Sequence, residues 1–444
     1  MGDRMTKFSP FDQSYWFASA PPPPETERLA GEKVVDVCIV GAGYTGLTTA
    51  IELRRKGVSV AILEREEAGY GGSGRNAGHC SPTFSYYSLD KIRSLLGQPW
   101  AERLIHRQTR AADRAADYIQ HYGIDCEWVQ NGLVIGAMRP GHLPPLEHKT
   151  ESYNAVGART RMLDRDEITR ITGSPRLYGG WLHEEGAHIH PLKYARGLAA
   201  AAISEGATLY TRSPAKRCEK TGGKWKVVGE AGHVIADKVI FATGAYTVEG
   251  WPDLDKSYRI MPVYVCATNP LSDRARETVL PQNTTMIDGR GDFYCYKWTA
   301  DNRIVASMFL RGPRGRDIAY SKTVMTDRLK WLHPQLTEAV RWDYFWFGEL
   351  DMQYRTVPRL YGLAPGVVAL TGLSGRGVPT GTMLGGILAD WAIGTPEQDL
   401  DLKVEPLHRA PWWMDYGPSY KLREMRAVDN FMSKRGGVEL PPHS

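Results

Sequence analysis

The chain has 444 residues, which is enough for two or three domains, and its 42% hydrophobic content is enough to build their cores. The 55 basic side chains exceed the 50 acidic ones by five, so composition gives no reason to expect a nucleic-acid partner. The longest apolar runs fall far short of the ~20 residues that span a bilayer. These properties indicate a globular protein without a membrane span. They exclude a small domain that depends on disulfides for its stability.

The cysteines and the first thirty residues indicate in which cellular compartment the protein is located. The six cysteines are scattered, and no C-x-x-C pair or zinc-ligand spacing occurs. Residues 1–30 lack an apolar segment and contain the run Pro21–Pro24, which favours an extended arm over a signal peptide. The sequence therefore predicts a cytoplasmic protein that has neither a disulfide framework nor a metal site.

A dinucleotide-binding fingerprint begins where the first predicted strand ends. The valine-rich run Val34–Val40 predicts a buried strand, and Gly41, Gly43 and Gly46 then form G-x-G-x-x-G at the start of an apolar-periodic helix. These glycines permit a sharp turn, close approach of a pyrophosphate and tight helix packing, and the helix N-terminus favours an anion. A second strand ends at Glu64, where a carboxylate can accept hydrogen bonds from a ribose. That carboxylate would repel a 2′-phosphate, which favours FAD or NAD over NADP.

A second loop of small residues, Gly71–Cys80, follows shortly after Glu64. An NAD dehydrogenase has no need of this loop, whereas FAD carries a ribityl chain and a flat ring that extend beyond the dinucleotide site. A backbone-rich stretch with a hydroxyl at Ser73 and a cation at Arg75 suits a position beside the pyrophosphate. The alternative is a flexible surface loop without a ligand.

Several motifs resemble those of the FAD-dependent amine and amino-acid oxidases related to D-amino acid oxidase, glycine oxidase and sarcosine oxidase, and most of all the gamma-glutamylputrescine oxidase-like group. The matching pieces span residues 14–395 and are more specific for the family than for a substrate. They are Ser14-Tyr15-Trp16, the fingerprint through Glu64, Gly72-Ser73-Gly74-Arg75-Asn76, residues 186–194, Ala242-Thr243-Gly244-Ala245-Tyr246 and Gly372-Leu373-Ser374-Gly375-Arg376-Gly377-Val378.

This resemblance implies that FAD is the cofactor, and together with the fingerprint it gives 21 expected cofactor-binding residues. They are Gly41, Gly43, Tyr44, Thr45, Gly46, Glu64, Arg65, Gly72, Ser73, Arg75, Asn76, Ala77, Gly78, His79, Ala215, Thr243, Gly244, Gly375, Arg376, Gly377 and Val378. By resemblance, Ala215 offers its backbone to the adenine. Because His79 and Cys80 do not match the family's covalent attachment positions, the flavin is expected to be bound non-covalently.

Arg376 stands where the family often has His, at the start of a predicted apolar helix. The N-terminus of that helix would face the electron-rich edge of the reduced flavin. A guanidinium there would stabilise negative charge on the flavin. The alternatives are a clamp for a substrate carboxylate and an ordinary surface side chain.

The other predicted elements of the cofactor domain follow in chain order. A helix begins at Pro191 and ends by Gly206, and Thr208–Thr211 predicts a further strand of the nucleotide sheet. Lys224–Val239 predicts a β-hairpin that leads into a second glycine-terminated strand at Val239–Gly244.

Two stretches between these segments predict a substrate domain. Leu89–Tyr122 has helical periodicity and leads into a strand-like run at Cys126–Ile135, and Pro262–Phe309 has the β-branched and aromatic content of an antiparallel sheet. Tyr294 and Tyr296 alternate along one strand, so both face one side of it. By resemblance this strand covers the flavin, and the substrate-binding candidates are Arg290, Tyr294, Tyr296 and Lys297. The alternative for the tyrosines is an ordinary core position.

Two further groups of side chains are interpreted as structural. A loop with three arginines predicts a solvated turn, and three nearby histidines predict a structural turn in preference to a metal site. These residues are Arg311, Arg314 and Arg316 in the first group and His183, His188 and His190 in the second.

We therefore predict an α/β fold, α+β overall, in which a Rossmann-type FAD-binding domain carries an inserted antiparallel-sheet substrate domain. The predicted division is an arm at 1–30, a discontinuous FAD-binding domain at 31–88, 160–262 and 340–400, a substrate domain at 89–159 and 263–339, and a C-terminal extension at 401–444.

The predicted activity is oxidation of a carbon–nitrogen bond in an amine or amino acid, in which hydride passes to flavin N5, the imine hydrolyses and oxygen is reduced to hydrogen peroxide. One alternative is an FAD dehydrogenase that passes electrons to a quinone or a partner protein, and another is a flavin-bearing subunit without catalysis. No general base is compulsory because the substrate amine need only be neutral, so no catalytic residue is predicted. The particular amine and the oligomeric state stay open.

Overall fold

The computed structural model describes residues 11–84, 86–309 and 317–444. Its strands are β1 (Gly31–Val40), β2 (Val60–Leu63), β3 (His79–Cys80), β4 (Leu133–Gly136), β5 (Thr160–Leu163), β6 (Gly180–His183), β7 (Ala187–His188), β8 (Thr208–Tyr210), β9 (Arg217–Thr221), β10 (Lys224–Val228), β11 (Gly232–Phe241), β12 (Arg259–Thr268), β13 (Thr285–Asp288), β14 (Tyr294–Trp298), β15 (Ile304–Met308), β16 (Trp342–Met352), β17 (Arg359–Ala364), β18 (Val367–Thr371) and β19 (Val404–Pro406). Its helices are α1 (Tyr15–Ser19), α2 (Tyr44–Arg55), α3 (Leu89–Leu96), α4 (Trp100–Thr109), α5 (Ala111–Tyr122), α6 (Leu143–Asn154), α7 (Arg165–Thr172), α8 (Pro191–Ser204), α9 (Asp273–Thr278), α10 (Ile318–Leu332), α11 (Gly377–Ala392) and α12 (Gly417–Arg435).

The larger sheet is built around the predicted fingerprint. β1 pairs in parallel with β2 on one side and with β11 on the other. The strand order is β19-β17-β18-β11-β1-β2-β8, and β9 and β10 extend antiparallel from β11. The last four residues of β1 are buried, as expected of a strand that is covered on both faces.

Helices α2 and α11 pack against each other beside this sheet, and α8 packs on α2. Their apolar side chains share one core with β1 and β2. The two helices approach closely at Gly385 of α11, where an added Cβ would lie 2.1 Å from Thr48 Oγ1 and 2.7 Å from Thr49 N of α2. Only a residue without a side chain permits this approach.

The smaller sheet has the order β16-β12-β15-β14-β13-β4-β6-β5. Its pairs are antiparallel except for β13 with β4, which is parallel. A second core lies between this sheet and helices α7, α9 and α10. The predicted fold class, a Rossmann-type domain combined with a largely antiparallel substrate sheet, is confirmed.

The predicted division of the chain does not follow the sheets at residues 160 and 340. β5 and β6 pair in the smaller sheet, although the sequence assigns 160–262 to the cofactor domain. β16 likewise forms an edge of the smaller sheet beside β12, although 340–400 carries the same assignment. Alternating apolar residues predict a strand but not the sheet that the strand joins, which explains both differences.

Some helices and strands also differ in extent from the elements that the sequence predicts. The helical region 89–122 consists of three helices, α3 to α5, and the strand-like run 126–135 forms only β4, at 133–136. The predicted helix after Pro191, the strand at 208 and the hairpin leading to the second glycine-terminated strand are present as α8, β8 and β10–β11.

The N-terminal arm from residue 11 onward and the C-terminal segment both pack onto these two sheets. In the N-terminal arm, Trp16 is fully buried and its ring lies edge-on to those of Trp346 and His190. In the C-terminal segment, β19 pairs with β17, and Asp429 of α12 accepts a hydrogen bond from Gly291 N (2.8 Å). Within the described ranges, no helix has the length and apolar character needed to cross a membrane.

Candidate functional site

A cleft lies at the carboxyl ends of β1, β2 and β11, which is where sheets of this kind bind ligands. Fourteen of the 21 predicted cofactor residues line it, from six separate parts of the chain. They are Gly41, Gly43, Tyr44, Thr45, Glu64, Arg65, Gly72, Ser73, Asn76, Ala215, Thr243, Gly244, Gly375 and Gly377.

The first glycine turn depends on contacts that a side chain would prevent. Gly41 has a φ of +106°, and a Cβ on it would lie 2.8 Å from Ala242 O. A Cβ on Gly46 would lie 2.0 Å from Gly41 O, so Gly46 supports the turn from beneath and does not line the cleft. Helix α2 begins at Tyr44, on the cleft wall, and presents the free N–H groups of a helix start to an anion.

A network of hydrogen bonds fixes the loop that follows β2. Ser73 Oγ accepts from Tyr44 N (3.0 Å), and Tyr44 OH donates to Ser73 O (2.6 Å). Asn76 Nδ2 donates to Ser73 O (2.9 Å), and Asn76 Oδ1 accepts from Gly78 N (2.8 Å). Trp16 Nε1 donates to Asn76 O (2.8 Å). The N-terminal arm therefore holds this loop against the cleft.

Glu64 lies at the end of β2 with its carboxylate on the cleft wall. Its Oε2 accepts from Ala42 N (2.8 Å) and its Oε1 from Glu66 N (3.0 Å). Burial raises the pKa of Glu64, and these two N–H groups act in the opposite direction. Each carboxylate oxygen has a further lone pair, so the group can still accept a hydrogen bond from a ligand hydroxyl.

Seven predicted cofactor residues do not line the cleft, and Arg75 is the most informative of them. Its guanidinium lies over the rings of Phe11 (4.9 Å) and Tyr70 (4.8 Å), and its Nε donates to Tyr70 O (2.9 Å). Arg75 does not line the cleft, and its position beside the pyrophosphate stays a prediction. Arg75 instead joins the N-terminal arm to the loop, because stacking on two rings holds a guanidinium firmly.

The other six lie behind the cleft or beside it. Gly46, Ala77 and Val378 are packed in the interior, and Gly78 O accepts a hydrogen bond from Ile189 N (2.9 Å). His79 begins β3, and its Nδ1 forms a hydrogen bond with Thr285 Oγ1. Arg376 precedes α11 and is described below.

The end of β16 forms a wall of the cleft that the sequence analysis missed. Glu349, Leu350 and Asp351 all line the cleft. Asp351 Oδ2 accepts from Gly372 N (2.6 Å), and burial raises the pKa of this carboxyl to about 6. The available signal was an acidic residue inside the apolar and aromatic run Trp342–Met352, because an acid in such a run requires a partner.

Tyr246 is a second missed residue of the cleft. Its hydroxyl accepts a hydrogen bond from Glu349 N (3.1 Å), which connects the larger sheet to the end of β16. It belongs to the motif Ala242-Thr243-Gly244-Ala245-Tyr246, so the sequence contained the signal for it.

The guanidinium of Arg376 belongs to a group of side chains that we call the chamber, formed by His79, Tyr86, Lys149, Tyr153, Trp181, Cys295 and Arg376. Burial lowers the pKa of Arg376, and the tyrosines at 153 and 86 are the main groups that oppose this effect. Arg376 Nε is buried and has no hydrogen-bond partner among the described residues.

Three of the four predicted substrate-binding residues face away from the cleft. Tyr294 OH donates to Met325 O (3.2 Å), and Tyr296 OH contacts His333 Nε2 (2.6 Å), so both tyrosines lie in the core beneath α10. Arg290 is buried in contact with Asp292 (3.2 Å) and also donates to Asn430 of α12. The substrate roles of these three residues stay predictions that their core positions do not favour, because alternation indicates two faces of a strand without indicating which one is the core.

Lys297 is the substrate candidate on the cofactor side of β14. Its ammonium lies 5.1 Å from the centre of the Trp16 ring, and a Cβ on Gly78 would meet Lys297 Cε at 2.8 Å. Burial lowers the pKa of Lys297 to about 8. Its contact with a substrate stays a prediction.

The three histidines have separate structural partners. His190 caps α8 by accepting from Lys193 N (3.2 Å), His188 Nε2 lies 3.1 Å from Asn283 O, and His183 lies 3.0 Å from Glu185. No arrangement of three His, Cys, Asp or Glu side chains that suits a metal ion occurs in the described part of the chain. The arginines at 311, 314 and 316 lie outside the described residues.

Comparison with known proteins decides the family. The model of the FAD dependent oxidoreductase family matches residues 36–391. The chain belongs to this family. Gamma-glutamylputrescine oxidoreductase of Escherichia coli is 32% identical over 391 residues, which cover 87% of this chain and 90% of that protein. The probable oxidoreductase OrdL of Haemophilus influenzae is 30% identical over 399 residues, with 87% and 89% covered.

Solved structures show the same fold. Glycine oxidase from Geobacillus kaustophilus superposes with a TM-score of 0.69 at 21% identity, covering 85% of this chain and all of that one. L-Amino acid deaminase from Proteus myxofaciens superposes with a TM-score of 0.70 at 17% identity, with 85% and 94% covered. Membership of the family makes this protein an FAD-dependent oxidoreductase.

The residues of the cleft fit FAD. The close approach that residues 41–46 permit, the start of α2 and the Glu64 carboxylate supply the features that a pyrophosphate and a ribose require. At the far end, Arg376 Nε has no hydrogen-bond partner in residues 11–84, 86–309 and 317–444, so the chain offers a cation beside the start of α11.

Proposed function

We propose that the protein is an oxidase that breaks a C–H bond next to the nitrogen of an amine or amino acid and transfers the electrons to oxygen. In the balanced reaction, the amine, water and oxygen give a carbonyl compound, the released amine and hydrogen peroxide. FAD, when bound, supplies the acceptor of the hydride and the route of both electrons to oxygen. The choice of oxygen is supported by the resemblance to amine and amino-acid oxidases.

One observation carries the proposal: positive charge dominates the chamber beside the cofactor cleft. Arg376 and Lys149 both act on the chamber, and their partial burial reduces the water that screens each charge. An ammonium entering this field loses its proton more easily than it does in water. The amine then has the free lone pair that it needs when the hydride leaves.

The chain's other contributions are binding and orientation. Ser73 and the start of α2 are suited to the phosphates, Glu64 to a ribose hydroxyl, and the end of β16 closes the cleft from the other side. Arg376 would hold negative charge at the end of the cleft where α11 begins. No proton transfer by a protein side chain is required.

The first compound to test is gamma-glutamylputrescine, on which the Escherichia coli relative acts according to its name. We further propose a cytoplasmic location, which is supported by the fact that all six cysteines are free thiols.

The test combines two measurements on the FAD-bound protein. Under anaerobic conditions, an amine substrate bleaches the flavin absorbance at the rate of reduction. In air, an oxidase consumes one oxygen and releases one peroxide per amine, and free FAD is the control for uncatalysed reaction. Bleaching followed by reduction of a dye but not of oxygen would support the alternative, a dehydrogenase. Absence of bleaching with every amine would contradict both.

A further inference from the structure

The chamber contains an ammonium held between aromatic faces. Lys149 Nζ of α6 lies 4.7 Å from the centre of the Trp181 ring and 5.4 Å from that of Tyr153. The two rings are themselves 5.8 Å apart and nearly perpendicular, so they form a corner around the ammonium. Tyr153 OH accepts from Phe84 N (3.0 Å), which fixes one wall of that corner.

Several buried nitrogen atoms of the chamber lack hydrogen-bond partners in the part of the chain that the structure describes. Trp181 Nε1, His79 Nε2 and Arg376 Nε are buried and have no hydrogen-bond partner within the described residues. Lys149 forms no ion pair or hydrogen bond with any side chain of those residues, and the rings of Trp181 and Tyr153 are its neighbours. Buried polar nitrogen atoms normally have hydrogen-bond partners. Several buried nitrogen atoms without partners therefore indicate that a ligand supplies those partners.

The charged groups around the corner are all positive. Burial and the charge of Arg376 lower the pKa of Lys149 to about 7, and burial, Lys297 and Arg376 lower that of His79 to about 3. The groups that act in the other direction on Arg376 are Tyr153, Tyr86 and Cys295, which are neutral at pH 7. Among the described residues, no carboxylate compensates Lys149 or Arg376.

We propose that the chamber is an anion subsite, in which Lys149 and Arg376 bind an acidic group of the amine substrate while Trp181 and Tyr153 contact its apolar part. This inference rests on the proposed function, because it assigns the chamber to the same substrate. It adds a requirement: the substrate carries an anionic group separate from the amine that is oxidised. Lys149 is then a specificity-determining residue that contacts this group and takes no part in the bond changes.

The experiment compares compounds that differ only in this charge. 5-Aminopentanoate and 5-aminopentanamide have the same amine and the same length, and a carboxylate replaces a neutral amide. For each we measure the concentration that half-saturates anaerobic bleaching of the FAD-bound protein. A charged hydrogen bond in a buried site favours the acid by about tenfold or more.

Three variants locate the effect. Lys149→Met removes the charge and keeps most of the length, and we expect the preference for the acid over the amide to fall about tenfold. Lys149→Arg retains the charge and should restore most of the preference. Lys403→Met is the matched control, because Lys403 also lies over an aromatic ring, that of Trp100 at 5.5 Å, but outside the chamber.

An independent measurement separates this inference from the proposed function. Pentanoate and pentanamide carry no amine, and their binding is followed by the change that they cause in the flavin spectrum. If no amine bleaches the flavin, the proposed function fails, and tighter binding of pentanoate that depends on Lys149 still supports the anion subsite. Equal binding of acid and amide in the unmodified protein, or equal weakening of both by Lys149→Met, would overturn it.

Discussion

Two adjacent glycines of α11 allow a sharp test of how the cofactor cleft is assembled. A Cβ on Gly385 would lie 2.1 Å from Thr48 Oγ1 and 2.7 Å from Thr49 N, which belongs to the backbone of α2. A Cβ on Gly386 would meet only Arg107 Nη1, at 3.1 Å, and this is the end of a flexible side chain. Gly385→Ala therefore forces the two helices apart, whereas Gly386→Ala displaces one guanidinium.

The expected energies follow from these distances. Alanine in place of glycine stabilises a helix interior by about 1 kcal/mol, and both substitutions gain this amount. Overpacking costs about 1–3 kcal/mol, and Gly385→Ala also displaces the Thr48 hydroxyl, whose hydrogen bond to Tyr44 O (2.8 Å) is worth about 1 kcal/mol. We expect Gly386→Ala to be neutral or slightly stabilising and Gly385→Ala to be less stable than Gly386→Ala by about 2–4 kcal/mol.

Urea unfolding of the FAD-free proteins measures the difference, and flavin absorbance per protein after dialysis measures cofactor retention. Because α2 and α11 both begin at the cleft, a shift between them also displaces both ends of the FAD site. Gly385→Ala should therefore lose FAD while Gly386→Ala retains it. Equal unfolding midpoints and equal FAD content in the two variants would refute this account of the helix contact.

The remaining predictions concern charged groups of the site. Glu64→Lys should lose most of its FAD, because a donor-only cation replaces the acceptor, whereas Glu64→Gln should keep more; full FAD content in the lysine variant would contradict the assigned role. Arg376→Met should retain FAD but lower the midpoint potential of the flavin by about 30 mV, which equals 1.4 kcal/mol for two electrons. An unchanged potential with weakened substrate binding would show that Arg376 acts on the substrate alone. Asp351→Asn should stabilise the FAD-free protein by about 2 kcal/mol at pH 8, with a gain that shrinks toward pH 4. The reason is that a folded-state pKa of about 6 lies above the usual value, so the stability contribution of Asp351 is lost as the pH rises through that range. Acid precipitation should release the flavin into the supernatant, and a yellow pellet would show covalent attachment.

The local part of the cofactor site was predictable because its signals lie within one stretch of sequence. Gly41, Gly43 and Glu64 act through the backbone or at the end of a strand, so their spacing specifies their positions. The contribution of β16 was not predictable in the same way. Glu349 and Asp351 reach the cleft only because β16 pairs with β12 at the edge of the other sheet, and sequence spacing does not contain that pairing.

The substrate side shows where alternation fails as a guide. Tyr294 and Tyr296 do share a face, as predicted, but it is the face covered by α10. The sequence analysis missed Lys149 for a different reason. Lys149 lies on a helix whose exposed side carries other charged residues, and only its contacts with the rings of Trp181 and Tyr153 distinguish it from them. Those contacts exist only in three dimensions.

The packing of α2 against α11 also has a consequence for synthesis of the chain. About 320 residues separate the end of α2 at Arg55 from the start of α11 at Gly377. At about 5–20 residues per second, a ribosome needs roughly 15–60 s to produce that interval. During this time the glycine turn and α2 are already made while one end of the cofactor site does not yet exist. The complete cofactor cleft therefore forms only after α11 has been translated and has packed against α2.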